Sequence, residues 1–388
     1  MRVLYIIDPG TVGGATVAFY DLISQMRLMN VEPIVITSGY NEFNKKLECL
    51  GVKTIADGHK TVLGGIGHGI RRPLSFIKRW IMYRTCETRA IQKISSQLEI
   101  STIDLIHTNS ARNSIGCLIS KRYGIPHIVH IREFADKDFA CVAFKSNYIE
   151  IFNQYTDRFL AVSGAVKEHW IQKGIERNKI QTVYDGVRYD NIVLSPDSTK
   201  RDDVLKMVIV GGVVRTKGQD LAVKAISLLP DDIKGNVTLD IVGWTNEKYV
   251  NCMRKFATEH RIDSQIRFLG ARDDVHQILG QYHIGLMCSK SEGFGLVTVE
   301  YMHAQLGVIA SNSGASPELV IDGECGLTFE VGKAESLAKC METYYCDREL
   351  LIKHSHAARE RAMSKFTDKI NAKSIVSIYK ELLNTENK

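Results

Sequence analysis

The stretch Ser291–Glu300, SEGFGLVTVE, lies where a strand-like run gives way to a helix-like one. Upstream, His283–Ser289 (HIGLMCS) is a short continuous apolar run; downstream, Leu296–Ala304 (LVTVEYMHA) places Val297, Glu300 and Tyr301 at helical spacing. Gly293 and Gly295 fall at the turn, where backbone amides can be left exposed. Glu292 and Glu300 flank it. They read either as helix-start charges that favour the positive end of the dipole, or as acids that hold a ligand.

The same strand-then-helix rhythm runs through the chain. Arg2–Asp8 (RVLYIID) precedes a glycine turn and the helix-like Ala15–Asn30; Glu32–Ser38, Ile103–Asn109, Pro126–Glu133 and Asp157–Ser163 follow as apolar runs. Such alternation implies a parallel, doubly wound sheet. A polar stretch, Leu194–Asp203 (LSPDSTKRDD), interrupts it and reads as a linker. Alternation resumes with Val204–Gly212, Val237–Gly243, Ile266–Gly270, His283–Ser289 and Gly307–Ser311. The expected fold class is therefore α/β: two facing Rossmann-like domains with a cleft between them, one over 1–195 and one over 204–366. The C-terminal segment, 370–388, is amphipathic through Ile375, Ile378, Tyr379 and Leu382 and is expected to pack back on the N-terminal domain.

Composition excludes several classes. At 388 residues, 44% hydrophobic and 24% charged, the chain has the make-up of an ordinary globular protein and not of a disordered one. Nine cysteines are scattered without a C-x-x-C pair, which argues against a zinc or redox motif and for a reducing compartment. No run approaches the roughly 20 apolar residues that cross a bilayer, and the N-terminal run is too short for a signal peptide; the expected location is cytoplasmic. Net charge is a modest +6. Basic residues nevertheless concentrate in 71–93, where Arg71, Arg72, Lys78, Arg79, Arg84, Arg89 and Lys93 face the single acid Glu87. Leu74, Ile77, Trp80 and Ile81 fall on one helical face among them. That segment reads either as a surface helix packed on its own domain or as a peripheral contact with the inner face of an anionic membrane. No groove-reading motif accompanies the charge, so nucleic-acid binding is not expected.

Three glycine-bearing turns follow strand-like runs. In Pro9–Val17 (PGTVGGATV), Gly13 and Gly14 precede a helix whose freed amides can hold an anion, or the turn is merely a tight connection. In Gly211–Leu221 (GGVVRTKGQDL), the cations Arg215 and Lys217 precede Gly218; a lysine at the carboxyl edge of a parallel strand either points into the ligand crevice or is solvated. Neither turn fits G-x-G-x-x-G or G-x-x-x-x-G-K-[ST]. The third is the opening stretch. A cationic loop beside two helix starts suits a diphosphate, and ionised carboxylates suit sugar hydroxyls, which donate to them. The combination favours a nucleotide sugar.

Here the second half resembles the retaining glycosyltransferases of family 4, which have the GT-B fold and an E-x7-E signature with Gly-Phe-Gly after the first glutamate. This chain has Glu292-Gly293-Phe294-Gly295 and then Glu300. VVRTKGQ, LDIVG, IRFLG, CSKSEGFGLVTVE, GVIASNSGASPELV and DGECGLTF stand in the family's order. The first half matches more loosely, through Gly13-Gly14, DLIHTNS, FLAVSGAVK and VYDGV. The resemblance implies that Lys217 neutralises the diphosphate of a UDP- or GDP-sugar and that Glu300 binds the ribose. It implies that Glu292, with the amides of Gly293 and Phe294, orients the transferred sugar. It assigns the distal phosphate to the amides of Gly295, Leu296 and Val297, with Gly14 approaching from the other domain. It implies no metal and no cofactor.

Four positions depart from the family pattern: Gly212 stands in place of an arginine, for which Arg215 is a candidate substitute; Arg132-Glu133 stand in place of His-Asp, with His130 two residues earlier; YMHAQLGVIA lacks a proline; and Asp185 replaces an asparagine. The expected function is retaining transfer of a sugar to a glycan or lipid-linked glycan, in bacterial surface polysaccharide or glycoconjugate synthesis, with Lys217 and Glu292 as catalytic residues. The alternatives are a non-catalytic nucleotide-sugar-binding or scaffold partner of another glycosyltransferase, to which Gly212 and Arg132-Glu133 point, and a sugar-nucleotide epimerase.

Overall fold

The apolar runs become strands buried on both faces, as parallel sheets covered by helices require. β1 (Arg2–Ile7) shows this: Val3, Tyr5 and Ile7 join one core while Leu4 and Ile6 join another, on alternate sides of the sheet. The structure, a computed structural model, describes residues 1–8, 13–65, 72–136 and 141–385.

The chain forms two units. The first comprises Met1–Gly186 together with the chain from Asp368 onward, and the second comprises Val187–Thr367. Further strands of the first unit are β2 (Glu32–Thr37), β3 (Lys53–Ala56), β4 (Leu63–Gly65), β5 (Leu105–Thr108), β6 (His127–Ile131), β7 (Cys141–Ala143), β8 (Arg158–Ala161) and β9 (Ile180–Thr182). Its main sheet runs β3-β2-β1-β5-β6-β8-β9, all parallel, and β4 pairs antiparallel with β7. Helix Gly14–Leu28 covers one face through Phe19, Leu22, Ile23 and Met26, and the final helix, Asp368–Thr385, adds Ile375, Ile378, Tyr379 and Leu382 to the same core. The Tyr379 hydroxyl lies 2.5 Å from His107 Nδ1 and donates to the Tyr5 hydroxyl at 3.1 Å, so even the polar tip of this buried ring is satisfied.

The second unit is built from β10 (Leu205–Val210), β11 (Val237–Val242), β12 (Ile266–Gly270), β13 (Ile284–Met287), β14 (Gly307–Ser311) and β15 (Leu327–Phe329). They form one parallel sheet in the order β12-β11-β10-β13-β14-β15. Leu205, Met207 and Ile209 of β10 and Leu239 and Ile241 of β11 meet helices Gln219–Ser227 and Ala334–Cys346 in its core.

Two segments differ from their sequence reading. The polar run Leu194–Asp203 is not a free linker but part of the second unit. Ser195 donates through its amide to the Ala304 carbonyl (2.8 Å) and through its hydroxyl to the Tyr282 carbonyl (2.6 Å), and buried Lys200 Nζ donates to the Ser195 carbonyl at 2.8 Å. The units divide instead at Gly186–Val187 and Thr367–Asp368, where Val187 bridges Thr367 in parallel. The basic segment is a helix, Arg72–Gln97, but Tyr83, Ala90, Ile91 and Ile94 bury it while Phe76 packs on Phe144. Leu74, Ile77, Trp80 and Ile81 remain 71%, 52%, 41% and 48% exposed. Arg71 and the side chains of Arg72 and Arg84 lie outside the described residues, as do Pro9–Val12 of the first glycine turn.

Burial holds the imidazoles of His127, His283 and His303 down to about 4 from an ordinary 6.5. Lys206 N donates to His283 Nδ1 at 3.2 Å, which fixes that ring as an acceptor at Nδ1. Because the folded values lie below the unfolded one, the unfolded chain binds more protons between pH 6.5 and 4, and stability falls as pH drops through that window. Each histidine contributes up to about 3 kcal/mol at the acid end. Thermal midpoints measured from pH 7 to pH 4 are expected to fall steadily, and a flat profile would contradict this burial.

Candidate functional site

In an open parallel sheet the ligand crevice opens at the carboxyl ends of the strands, where the strand order reverses. In the second unit that point lies between β10 and β13, the two strands followed by Gly211–Gly218 and by Cys288–Gly295. The two loops are joined at close quarters. Gly218 takes a left-handed conformation (φ +71°) at the start of helix Gln219–Ser227, and a Cβ there would stand 2.2 Å from the Cys288 carbonyl oxygen. Lys290 N donates to the Thr216 carbonyl at 3.1 Å. This lacing brings Lys217 Nζ to 2.7 Å from Glu292 Oε2, with Lys217 38% and Glu292 18% exposed.

Glycines also set the position of Glu292. Gly314 (φ +59°) lies so close beneath that a Cβ would meet the Glu292 carbonyl oxygen at 2.4 Å, and Ala315 N donates to that carbonyl at 2.9 Å. Gly293, Phe294 and Gly295 are buried, and Phe294 packs edge-on against Phe366 with centroids 5.9 Å apart. Gly295, at φ +96°, caps helix Leu296–His303. That helix's first bond runs from Thr298 N to the Gly295 carbonyl at 2.9 Å, so the amides of Leu296 and Val297 enter no helical bond. They form an anion-attracting helix start one residue beyond the turn that carries Glu292. Below it, Tyr301 fills the space left by Gly285, and its hydroxyl accepts from Val210 N at 2.7 Å, tying the helix to the end of β10. Glu300, one turn along from Leu296, is 18% exposed and lies 3.6 Å from His276 Nε2.

The structure thus brings together Lys217, Glu292 and the run Gly293–Val297, with Glu300 on the same short helix. Arg215 is drawn elsewhere: its guanidinium lies over the Tyr249 ring at 5.8 Å, and the Tyr249 hydroxyl donates to Asp220 at 2.6 Å. Gly13 and Gly14 belong to the first unit, where Gly13 caps helix Gly14–Leu28 without a side-chain bond and both are exposed. Among the described residues, no group of three His, Cys, Asp or Glu side chains is gathered as a metal ion requires.

Sequence reasoning missed a polar cluster at the carboxyl edge of the first sheet. Arg132, after β6, forms a buried ion pair with Asp185 and donates through Nε to Asn109 Oδ1, after β5, at 2.7 Å. His130 Nε2 is 3.9 Å from Asp185, so His130 faces the same cluster. Burial, reinforced by the Arg132 charge, keeps the His130 and His107 imidazoles well below their ordinary range, and burial pushes the Asp185 carboxyl up against the pull of Arg132. Two departures from the family pattern, 53 residues apart, are therefore one pair. Nearby, Glu133 accepts from the Ser110 hydroxyl at 2.6 Å.

Comparison with known proteins gives two family models in succession: Glycosyltransferase Family 4 over residues 12–191 and Glycosyl transferases group 1 over residues 191–362. The chain is 29% identical over 180 residues to the lipopolysaccharide core biosynthesis mannosyltransferase LpcC of Rhizobium leguminosarum bv. viciae, covering 45% of this chain and 50% of that protein. It is 29% identical over 245 residues to the uncharacterized glycosyltransferase MJ1178 of Methanocaldococcus jannaschii, covering 62% and 65%. The chain thus matches between half and two-thirds of the length of these curated relatives. Among solved structures, Anabaena Alr3699/HepE in complex with UDP is similar at a TM-score of 0.80 and 19% identity, covering 98% of this chain and 100% of that one. WaaG, a glycosyltransferase involved in lipopolysaccharide biosynthesis, is similar at 0.66 and 16%, covering 96% and 98%. These likenesses establish the GT-B fold.

Gly314→Ala is expected to displace the turn that carries Glu292, because the new Cβ would stand 2.4 Å from a backbone oxygen at a residue with φ +59°. The strain is on the order of 1–3 kcal/mol. Amide hydrogen exchange at Ala315, which donates to Glu292, should accelerate, while exchange in β10 and β11 stays slow; an unchanged rate at Ala315 would show that the contact does not hold the turn.

Proposed function

The chain belongs to the group 1 glycosyltransferases, of the family 4 type with the GT-B fold, and from that membership we propose that it is a retaining enzyme transferring a sugar from a nucleotide-sugar donor to a glycan or lipid-linked glycan. The observation that carries this reading is the Lys217–Glu292 pair beside the helix start at Gly295, in the crevice where the second sheet reverses. When the bond between sugar and diphosphate breaks, negative charge gathers on the departing phosphate. The Lys217 ammonium and the amides of Leu296 and Val297 stabilise that charge with fixed donors and no metal. Glu292 accepts from sugar hydroxyls and holds the anomeric carbon toward the incoming acceptor, while Glu300 accepts from the ribose. In the first unit, the helix start at Gly13–Gly14 offers further amides for an anionic group. A nucleotide-sugar donor is supported by the Anabaena relative, solved with UDP and with UDP and glucose. A role in surface polysaccharide synthesis is supported by the lipopolysaccharide proteins among the relatives.

The acceptor side of the proposal rests on helix Arg72–Gln97. Leu74, Ile77 and Ile81 form an exposed apolar stripe, with exposed Lys78 beside it and exposed Arg89 and Lys93 further along the helix. No described helix is long and apolar enough to cross a membrane. An apolar stripe edged by cations suits the surface of an anionic bilayer, where a lipid-linked acceptor is presented from the cytoplasmic side.

Lys217→Ala is expected to lower transfer by roughly a hundredfold or more, with an unchanged melting curve, in an assay that screens nucleotide sugars for transfer and slow hydrolysis. Wild-type turnover by that variant would sink the mechanism. Replacing Leu74, Ile77 and Ile81 with serine should release the protein from vesicles of anionic phospholipid at low salt; if the wild-type chain fails to float with those vesicles, the membrane contact is wrong.

A further inference from the structure

Trp244, just past β11, leaves 59% of its surface in water. Both backbones that support the ring are fixed. Val213 N donates to the Trp244 carbonyl at 2.9 Å, and Val213 bridges Thr245 in parallel. Gly243 N donates to the Gly270 carbonyl at 2.8 Å, and a Cβ on Gly243 would stand 1.9 Å from the Gly211 carbonyl oxygen. The indole rests on Gly212: a Cβ there would lie 2.6 Å from Cε2 and 2.7 Å from Cζ2 and Nε1. The missing side chain at Gly212 is what gives the ring its seat.

We propose that Trp244, seated on Gly212, is a stacking platform for the planar base of the nucleotide donor. This rests on the donor reading above. Along the sheet edge the strands run β12, β11, β10, β13. Lys217 and Glu292 follow β10 and β13, and Glu300 lies 3.6 Å from His276, which follows β12. A donor whose diphosphate meets Lys217 and whose ribose meets Glu300 extends its base toward the β11–β12 side of the edge, where Trp244 stands. Stacking asks only for a flat π-face, so the platform contributes affinity for any nucleobase and leaves the choice among bases to hydrogen bonds. Because the ring is held before the ligand arrives, little conformational freedom is lost on contact.

The test is a titration of the full-length wild-type protein and of Trp244→Ala, Trp244→Phe and Gly212→Ala with UDP and GDP. Inorganic pyrophosphate is measured by competition at concentrations high enough to displace the nucleotide. Trp244→Ala should weaken whichever nucleoside diphosphate binds by about 10-fold or more, the effect of losing one base–aromatic stack. Trp244→Phe should keep most of the affinity, and pyrophosphate binding should not change. Gly212→Ala, whose new methyl forces the indole off its seat, should reproduce the same selective loss. Equal nucleotide affinity in Trp244→Ala, or a loss of pyrophosphate affinity as large as that for nucleotide, overturns the platform alone. A wild-type protein that binds pyrophosphate but neither UDP nor GDP overturns the donor reading, and the platform with it.

Discussion

The constraint from which the rest follows is that all strands of each main sheet run the same way. Parallel strands deliver every loop that leaves a strand, and every helix that starts after it, to a single edge. Where the order reverses, between β10 and β13, successive crossovers depart to opposite faces and leave a gap into which side chains and amides converge. Lys217 and Glu292 are 75 residues apart in sequence and 2.7 Å apart in space for this reason. In the first unit the order reverses between β1 and β5, and just to one side of that point Asn109 follows β5 and Arg132 follows β6, so that the Arg132 side chain reaches Asn109 along the same carboxyl edge.

Close approach of backbones is the second requirement, and glycine meets it. Gly218 against Cys288 and Gly314 against Glu292 remove Cβ atoms that would otherwise hold the two loops apart. Gly285 does the same one layer below, where Tyr301 lies against the strand and receives the Val210 amide. The short helix that carries Glu300 is therefore positioned from both ends, by Gly295 at its start and by Tyr301 within it.

Much of this was legible in the sequence, for physical reasons that also explain what was not. Strands such as Leu205–Val210 are buried on both faces, so continuous apolar runs betray them. Glu292, Gly295 and Glu300 were legible because one turn and one helix hold them together. The Arg132–Asp185 pair was not, since nothing local in either segment encodes a contact across 53 residues. The polar run Leu194–Asp203 resembles a linker in composition, and only the carbonyls of Tyr282 and Ala304, far away in sequence, reveal it as packed. In helix Arg72–Gln97 the apolar periodicity was real, but of its two readings the packing one does not hold for that stripe: the residues that bury the helix, Tyr83, Ala90 and Ile94, begin further along, and Leu74, Ile77 and Ile81 face solvent.

The 2.7 Å bridge between Lys217 and Glu292 also says something about the resting protein. Each charge already has its counter-ion, so the pair itself contributes little net positive field beside the helix start. On the donor reading proposed above, entry of a diphosphate would be an exchange of partners: the ammonium would turn from carboxylate to phosphate, and the released carboxylate would need new donors at once. A free phosphate or pyrophosphate brings none, whereas a sugar attached to the phosphate brings several hydroxyls to the right place. On that reading the pair would favour an intact donor over its own leaving group, and would give the spent nucleotide a competitor for its binding site that is part of the protein itself.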